Sequence, residues 1–282
     1  MKLIRFGESV KEKPGVMIDD KYFDVYLHIK DYNEEFFEQD GLIELNKIIL
    51  ENKLSEVSKK VRLGSPIARP SKIVCVGLNY AKHAIETNAA ILLEPILFLK
   101  STTAIVGPND DIIIPQNSVK TDWEVELVVV IGKKASYFSE QTAMNYVAGY
   151  SLHNDVSERE FQLERGGTWD KGKGCDTFAP LGPWLVTKDE IADVNNLRLW
   201  LKVNDKIMQD GNTDDLIFNI PYLISYISKF MTLLLGDIIS TGTPHGVGLG
   251  SIPQVYLKPS DEVELGIDGL GTAKQQVIAY EN

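Results

Sequence analysis

The chain has 282 residues, 44% of them hydrophobic and 24% charged. Those proportions describe a globular protein and exclude a disordered, collagenous or disulfide-stapled one. Lys and Arg total 29 against 40 Asp and Glu, and the formal charge of −11 argues against nucleic acid or an anionic membrane as partner. If the substrate is an anion, a local cation must overcome that field.

The first fifteen residues, MKLIRFGESVKEKPG, are charged throughout and lack the apolar core of a signal peptide. Short strand-like pieces at 2–6, 16–18 and 22–26 lead into 33–61, rich in Glu, Leu, Lys and Ile, where Leu42, Leu45, Ile49 and Leu50 suggest short helices. Pro66 and Pro70 form a joint, so a small N-terminal α/β domain is expected over 1–68 and the main domain over 69–282. Cys75 and Cys175 make neither a disulfide framework nor a metal knuckle and read as reduced thiols. The apolar runs 89–93 and 96–99 are separated by Glu94 and Pro95, well short of the ~20 residues of a membrane span. A cytoplasmic protein is expected.

Beyond Lys72 the texture is β-rich. Strands are expected at 73–77, 96–100, 112–114, 123–131, 148–152, 184–187, 197–203, 237–240 and 262–267, most of them bounded by Gly, Pro or Asn/Asp clusters. Helices are expected at 140–146 and 221–230, the latter with Leu223, Tyr226, Ile227 and Phe230 inward. Strands and helices do not alternate, which disfavours a doubly wound fold. The expected class is mixed α+β, mostly β.

Residues 121–132 read TDWEVELVVVIG, and alternation puts Asp122, Glu124 and Glu126 on one face. Gathered carboxylates in a buried strand are costly unless they are protonated or share a cation. On an edge strand the same pattern is merely a polar face, but the Val and Ile that follow on both faces argue for burial. Asp155 follows the 148–152 strand, where it could equally be a turn residue. A Glu, Glu and Asp set suits Mg2+ or Mn2+, with Ca2+ as an alternative, whereas zinc would prefer His or Cys.

In 77–86, GLNYAKHAIE, a strand ends at a glycine and His83 and Glu86 stand three apart. On a helix they share a face and can hydrogen-bond, as an oriented general base requires, although such pairs are also common on surfaces. KGKGCDTF places Lys173 between glycines, where backbone can approach a ligand closely. GDIISTGTPHGVG is a strand entering a glycine turn whose amides and hydroxyls could hold a carboxylate; it lacks the Gly-Lys-Ser/Thr ending of a P-loop.

Together and in order, GLNYAKHAIE, TDWEVELVVVIG, NDVSEREFQ, KGKGCDTFAPLGPW and GDIISTGTPHGVG resemble the fumarylacetoacetate hydrolase family, from about Lys72 onward. The resemblance implies a β-roll core, a homodimer, and no organic cofactor. It implies metal ligands at Glu124, Glu126 and Asp155, a catalytic pair at His83 and Glu86, and an active-site lysine at Lys173. Lys100, Arg159, Gln162, Gly242 and Thr243 are the implied substrate contacts.

The N-terminal layout and SEREFQLERGG look most like a bacterial subgroup. That subgroup includes hydrolases of 2,4-diketo-3-deoxy sugar acids, such as the L-rhamnonate and L-fuconate derivatives. The eukaryotic enzymes carry a further Asp ligand before the catalytic His; this chain has Asn79 and Tyr80 there, which points away from fumarylacetoacetate itself. The implied reaction is metal-dependent cleavage of a small anionic 2-oxo acid to pyruvate and a second acid. Acylpyruvate hydrolysis, oxaloacetate decarboxylation, 2-hydroxydienedioate isomerisation and ureidoglycolate lysis are alternatives on the same metal site. The polar stretch 164–169 could hydrogen-bond the substrate's hydroxyls or simply form a surface loop, and 82–93 is expected to form a lid.

Overall fold

The computed structural model describes residues 1–51 and 53–281. It is mixed α+β and mostly β, in agreement with the sequence reading. Among the described residues, no helix is long and apolar enough to cross a membrane.

The centre of the molecule is the strand Val125–Ile131, whose seven residues are all buried. Residues apolar on both faces need cover on both sides, and a central strand of a two-layered β protein receives it. Val125–Ile131 pairs antiparallel with Val147–Asn154 on one side and with Ile238–Ser240 on the other. Beyond Ile238–Ser240 lie Ile73–Gly77, in parallel, and Ile96–Lys100. In the other direction Val147–Asn154 pairs with Leu185–Thr187, which pairs with Lys2–Phe6.

The strands of residues 1–68 therefore extend the same sheet, and Leu3, Val16, Tyr32 and Phe36 share one core cluster with Trp123 and Leu127. A second sheet, in the order Lys206–Asn212, Arg198–Val203, Glu262–Ile267, Gly271–Ala279 and Ile112–Ile114, adds Leu199, Leu201, Val263 and Leu265 to that core.

Three local expectations are corrected. The strand expected over 123–131 begins at Val125, and Thr121–Asp122 is a separate short strand before it, because Asp122 turns to bond the amide of Trp123 (2.9 Å). The helix expected to reach 230 spans Ile220–Ile227, and Phe230 is exposed rather than inward. Ser55–Val57 is an edge strand inside the region read as helical.

Besides several two-residue strands, two longer ones went unread. Lys206–Asn212 follows Arg198–Val203 through Asn204 and Asp205, whose φ of 49° and 64° suits a tight hairpin turn. Gly271–Ala279 returns on Glu262–Ile267 after Asp268 and Gly269. Lys206–Asn212 lies at the sheet edge and Gly271–Ala279 exposes alternate residues, so an Asn-Asp or Asp-Gly turn was the signal rather than hydrophobicity.

Leu127 is completely buried at the centre of this arrangement. Leu127→Ala should cost about 2–5 kcal/mol of stability. Urea denaturation would read this as a lower midpoint with an unchanged slope.

Candidate metal centre and its cavity

The register of two neighbouring strands assembles three carboxylates. Glu124 and Glu126 share a face by alternation, and Val125 pairs with Asn154 while Glu126 pairs with His153. The amide of Asp155 donates to the carbonyl of Glu124 (2.8 Å), which brings the Asp155 side chain to the two glutamates. One oxygen from each of Glu124, Glu126 and Asp155 lies within 4.8 Å of the others, and all three residues are buried. Asp122, on the same face, lies outside this triad. It accepts from the amides of Gly248 (2.7 Å) and Leu249 (3.0 Å) and pairs with Arg159 (2.8 Å).

Such a concentration of negative charge survives burial because cations surround it. Lys173 Nζ bridges Glu124 (2.7 Å) and Asp155 (2.9 Å). Lys100 Nζ donates to Asp155 (2.5 Å) and to the carbonyl of Val156 (3.0 Å). Arg159 Nη2 is 2.7 Å from Glu124, and its Nη1 donates to Gln162 (3.0 Å).

The triad's members differ accordingly. Burial would raise the pKa of Glu124, but Lys173 and Arg159 outweigh it and hold it below its usual value. Burial acts likewise on Asp155, and Lys100 and Lys173 hold it well below the usual range. Burial, then repulsion from Asp155 and Glu124, pushes Glu126 well above it. Its neighbours are neutral donors, Ser240 Oγ at 2.6 Å and the Gly242 amide at 3.0 Å, both on Oε2. Lys173 stays charged, since Asp155 and Glu124 outweigh the desolvation that would lower its pKa.

The second expected pair also meets. His83 and Glu86 lie on the helix Ala81–Glu86, with His83 Nδ1 3.2 Å from Glu86 Oε2. Glu86 also accepts from the amide of Gly246 (2.9 Å). Burial raises its pKa, but the bonds from His83 and Gly246 bring it below the usual value. The helix is formed, and 87–93 is neither helix nor strand.

A cavity of about 180 Å3 opens beside the triad, lined by His83, Glu124, Glu126, Arg159, Gln162, Lys173 and Thr243 among the expected residues. Asp155, Lys100, Glu86 and Gly242 stand behind these. Gly242 has φ of 102°, and an added Cβ would meet Asn79 at 2.8 Å, so only glycine brings its amide to Glu126. Asn79 itself holds Thr241 and Phe218 by hydrogen bonds, a structural role.

Apart from Thr87, the rest of the wall is apolar: Phe98, Leu163, Trp169 and Leu249 among others. Of the stretch 164–169 only Trp169 reaches it, so the surface-loop reading holds for the rest. Arg165 pairs with Glu160, and Glu164 with Lys120, outside.

Sequence reasoning missed the buried polar residues that hold this frame. Gln209 accepts from the Val125 amide (2.9 Å) and donates to Thr243 Oγ1 (2.8 Å). Asn154 accepts from the Glu124 amide (3.1 Å) and donates to Gln275 (3.1 Å). Their only signal was an amide side chain inside a strand.

The family described as "Fumarylacetoacetate (FAA) hydrolase C-terminal" matches residues 72–278. The chain belongs to the fumarylacetoacetate hydrolase family. A Burkholderia multivorans protein with the provisional name of hydrolase is 50% identical over 277 residues, 98% of each chain. The fumarylacetoacetate hydrolase of psychrophilic Exiguobacterium antarcticum is 32% identical, with a TM-score of 0.85 over 99% of this chain and 100% of that one. Maleylpyruvate hydrolase of Sphingobium sp. SYK-6, solved with manganese(II) and pyruvate, is 29% identical, with a TM-score of 0.83 over 100% of both chains.

The donor set fits a hard divalent cation of the kind found in this family. Three carboxylates converge, all donors are oxygen, and a lysine ammonium already lies between two of them.

A ligating carboxylate must lose its proton, and Glu126 is the member that holds one most tightly. Cation affinity should therefore rise with pH. In the metal-free protein the raised pKa means that Glu126 costs nothing below its unfolded value and destabilises as pH rises through the folded one. With EDTA, Glu126→Gln should melt at or above wild type at pH 8 and lose that advantage at pH 5. Added Mn2+ should raise the melting temperature of wild type only. An equal rise in the variant would remove Glu126 from the ligand set.

Proposed function

We propose that the protein is a divalent-metal-dependent hydrolase that cleaves the C3–C4 bond of a 2,4-diketo acid, giving pyruvate and a second carboxylic acid. The observation that carries this reading is the convergence of the acidic triad and the His83–Glu86 pair on one cavity. Glu124, Glu126 and Asp155 would hold Mg2+ or Mn2+. When bound, that ion supplies a Lewis acid and a chelation point for the substrate's carboxylate and 2-oxo oxygens.

The chain's own residues do the rest. Glu86 accepts from His83 Nδ1, which leaves Nε2 unprotonated and able to take a proton from water. The hydroxide so formed adds to C4, the C3–C4 bond breaks, and its electron pair passes into the enolate of pyruvate. Lys173 and Arg159, held at the cavity wall, offset the negative charge that builds there. The proton on His83 then returns to C3. A positioned base distinguishes this reading from a non-catalytic organic-acid binder, which has no use for one.

Two tails compete. The subgroup resemblance favours a 2,4-diketo-3-deoxy sugar acid, the L-rhamnonate or L-fuconate derivative, which would give lactate as second product. The wall of Phe98, Leu163, Trp169 and Leu249 favours an acylpyruvate with a short uncharged tail. The cations that line the cavity, Arg159 and Lys173, are already paired with carboxylates, which disfavours a second carboxylate on the tail.

With Mn2+ present, 2,4-diketo-3-deoxy-L-rhamnonate, the fuconate isomer, acetylpyruvate, oxaloacetate and ureidoglycolate should be compared by pyruvate release and product analysis. Hydrolysis of a diketo acid should dominate, and His83→Ala should lower kcat by about 100-fold or more. Oxaloacetate decarboxylation as the main activity, indifferent to His83→Ala, would overturn the hydrolase reading.

Trp169 sets the tail wall. Its ring rests against Phe98 (centroids 5.3 Å apart) and over Gly77, where a Cβ would meet it at 2.4 Å. Trp169→Ala should cut kcat/KM for the preferred short substrate about tenfold and shift preference to bulkier tails. Steady-state kinetics across an acylpyruvate length series reads the shift.

A further inference from the structure

One buried group near the triad takes no part in the chemistry above. His153 lies opposite Glu126 in the strand register and is 2% exposed. Its Nδ1 is 2.8 Å from Ser240 Oγ, and Ser240 Oγ is 2.6 Å from Glu126 Oε2. Among the described residues, its Nε2 is buried without a hydrogen-bond partner.

The direction of these bonds follows from counting protons. As a ligand Glu126 is an anion and can only accept, so the single hydroxyl proton of Ser240 must point to it. Ser240 Oγ is then left as an acceptor towards His153, and Nδ1 must carry the imidazole proton. That tautomer would place a bare lone pair at Nε2, the buried ring atom that has no partner. An unsatisfied buried acceptor costs about 1–3 kcal/mol, so a purely structural position would be better served by an apolar side chain.

We infer that His153 is a positioning residue, whose Nδ1–H fixes the Ser240 hydroxyl on Glu126 Oε2 and leaves Oε1 free to ligate the cation. The other ligands need no such device: Glu124 and Asp155 are each held by a lysine. Glu126 is held by neutral donors, Ser240 on the neighbouring strand and the Gly242 amide two residues on. Without His153, Ser240 could rotate its proton to another acceptor and Glu126 would keep one anchor instead of two.

The inference rests on the metal reading of the triad, and the test separates the two. Mn2+ is titrated into the full-length metal-free protein by calorimetry, with wild type, His153→Leu, His153→Gln, Ser240→Ala and the His153→Leu/Ser240→Ala double variant. His153→Leu should weaken Mn2+ binding about 10–100-fold. Its metal-free melting temperature should fall little or rise, because a buried ring nitrogen without a partner is gone. His153→Gln, which restores a donor, should recover most of the affinity.

Ser240→Ala removes one oxygen and reads the same link from the other end, even if His153→Leu does not fold. The double variant should bind no more weakly than the weaker single variant. Unchanged Mn2+ affinity in Ser240→Ala, or losses that multiply in the double variant, would overturn the role of His153 with the metal site intact. A wild-type protein that binds no Mn2+ would overturn both.

Discussion

Everything at this site depends on charge balance inside a β core. Four carboxylates, on Asp122, Glu124, Glu126 and Asp155, are buried with three cations, on Lys100, Arg159 and Lys173. Moving any one of these ions from water costs several kcal/mol, and dense mutual pairing keeps Glu124, Asp155 and Lys173 charged. The backbone register makes the pairing dense: a one-residue slip between Val125–Ile131 and Val147–Asn154 would turn Glu126 or His153 to the opposite face. Gln209, Asn154 and Gln275 brace the same two strands through main-chain and amide bonds, so register and charge protect one another.

The balance is deliberately incomplete at Glu126. Three cations against four carboxylates leave one negative charge short of a partner, and burial, with repulsion from Asp155 and Glu124, raises the pKa of Glu126. A protein built for stability alone would have placed an amide or an apolar side chain there. The cavity beside it has ions at one end and aromatic rings at the other, a division suited to a molecule with a chelating head and an uncharged tail.

Much of this was legible in the sequence because the chemistry depends on local spacing. The i,i+2 glutamates, the i,i+3 His–Glu pair and the glycine-flanked lysine each follow from the geometry of one element. What escaped was long-range. Nothing near Gln209 or Gln275 says that they will bond Val125 and Asn154 from another sheet. The role of the stretch 164–169 was not legible because a polar run names no direction: its charges turn to Glu160 and Lys120 on the surface, and only Trp169 turns inward. The strand 206–212 was lost because a polar edge strand has no hydrophobic signature, only its Asn-Asp turn.

The parallel pairing of Ile238–Ser240 with Ile73–Gly77 has a kinetic consequence. These strands are more than 160 residues apart, and Glu86 meets Gly246 across 160. The loop entropy of that closure must be met before the contacts it enables can compensate, so the chain has a high contact order and should be a slow folder. During synthesis Val125–Ile131 emerges long before Ile238–Ser240 can cover one of its edges. Until then a strand that is apolar except for Glu126 stands with an unpaired side. Folding intermediates of this protein should therefore be most vulnerable to aggregation at that edge, and the chemistry should arrive last, when the final strands close.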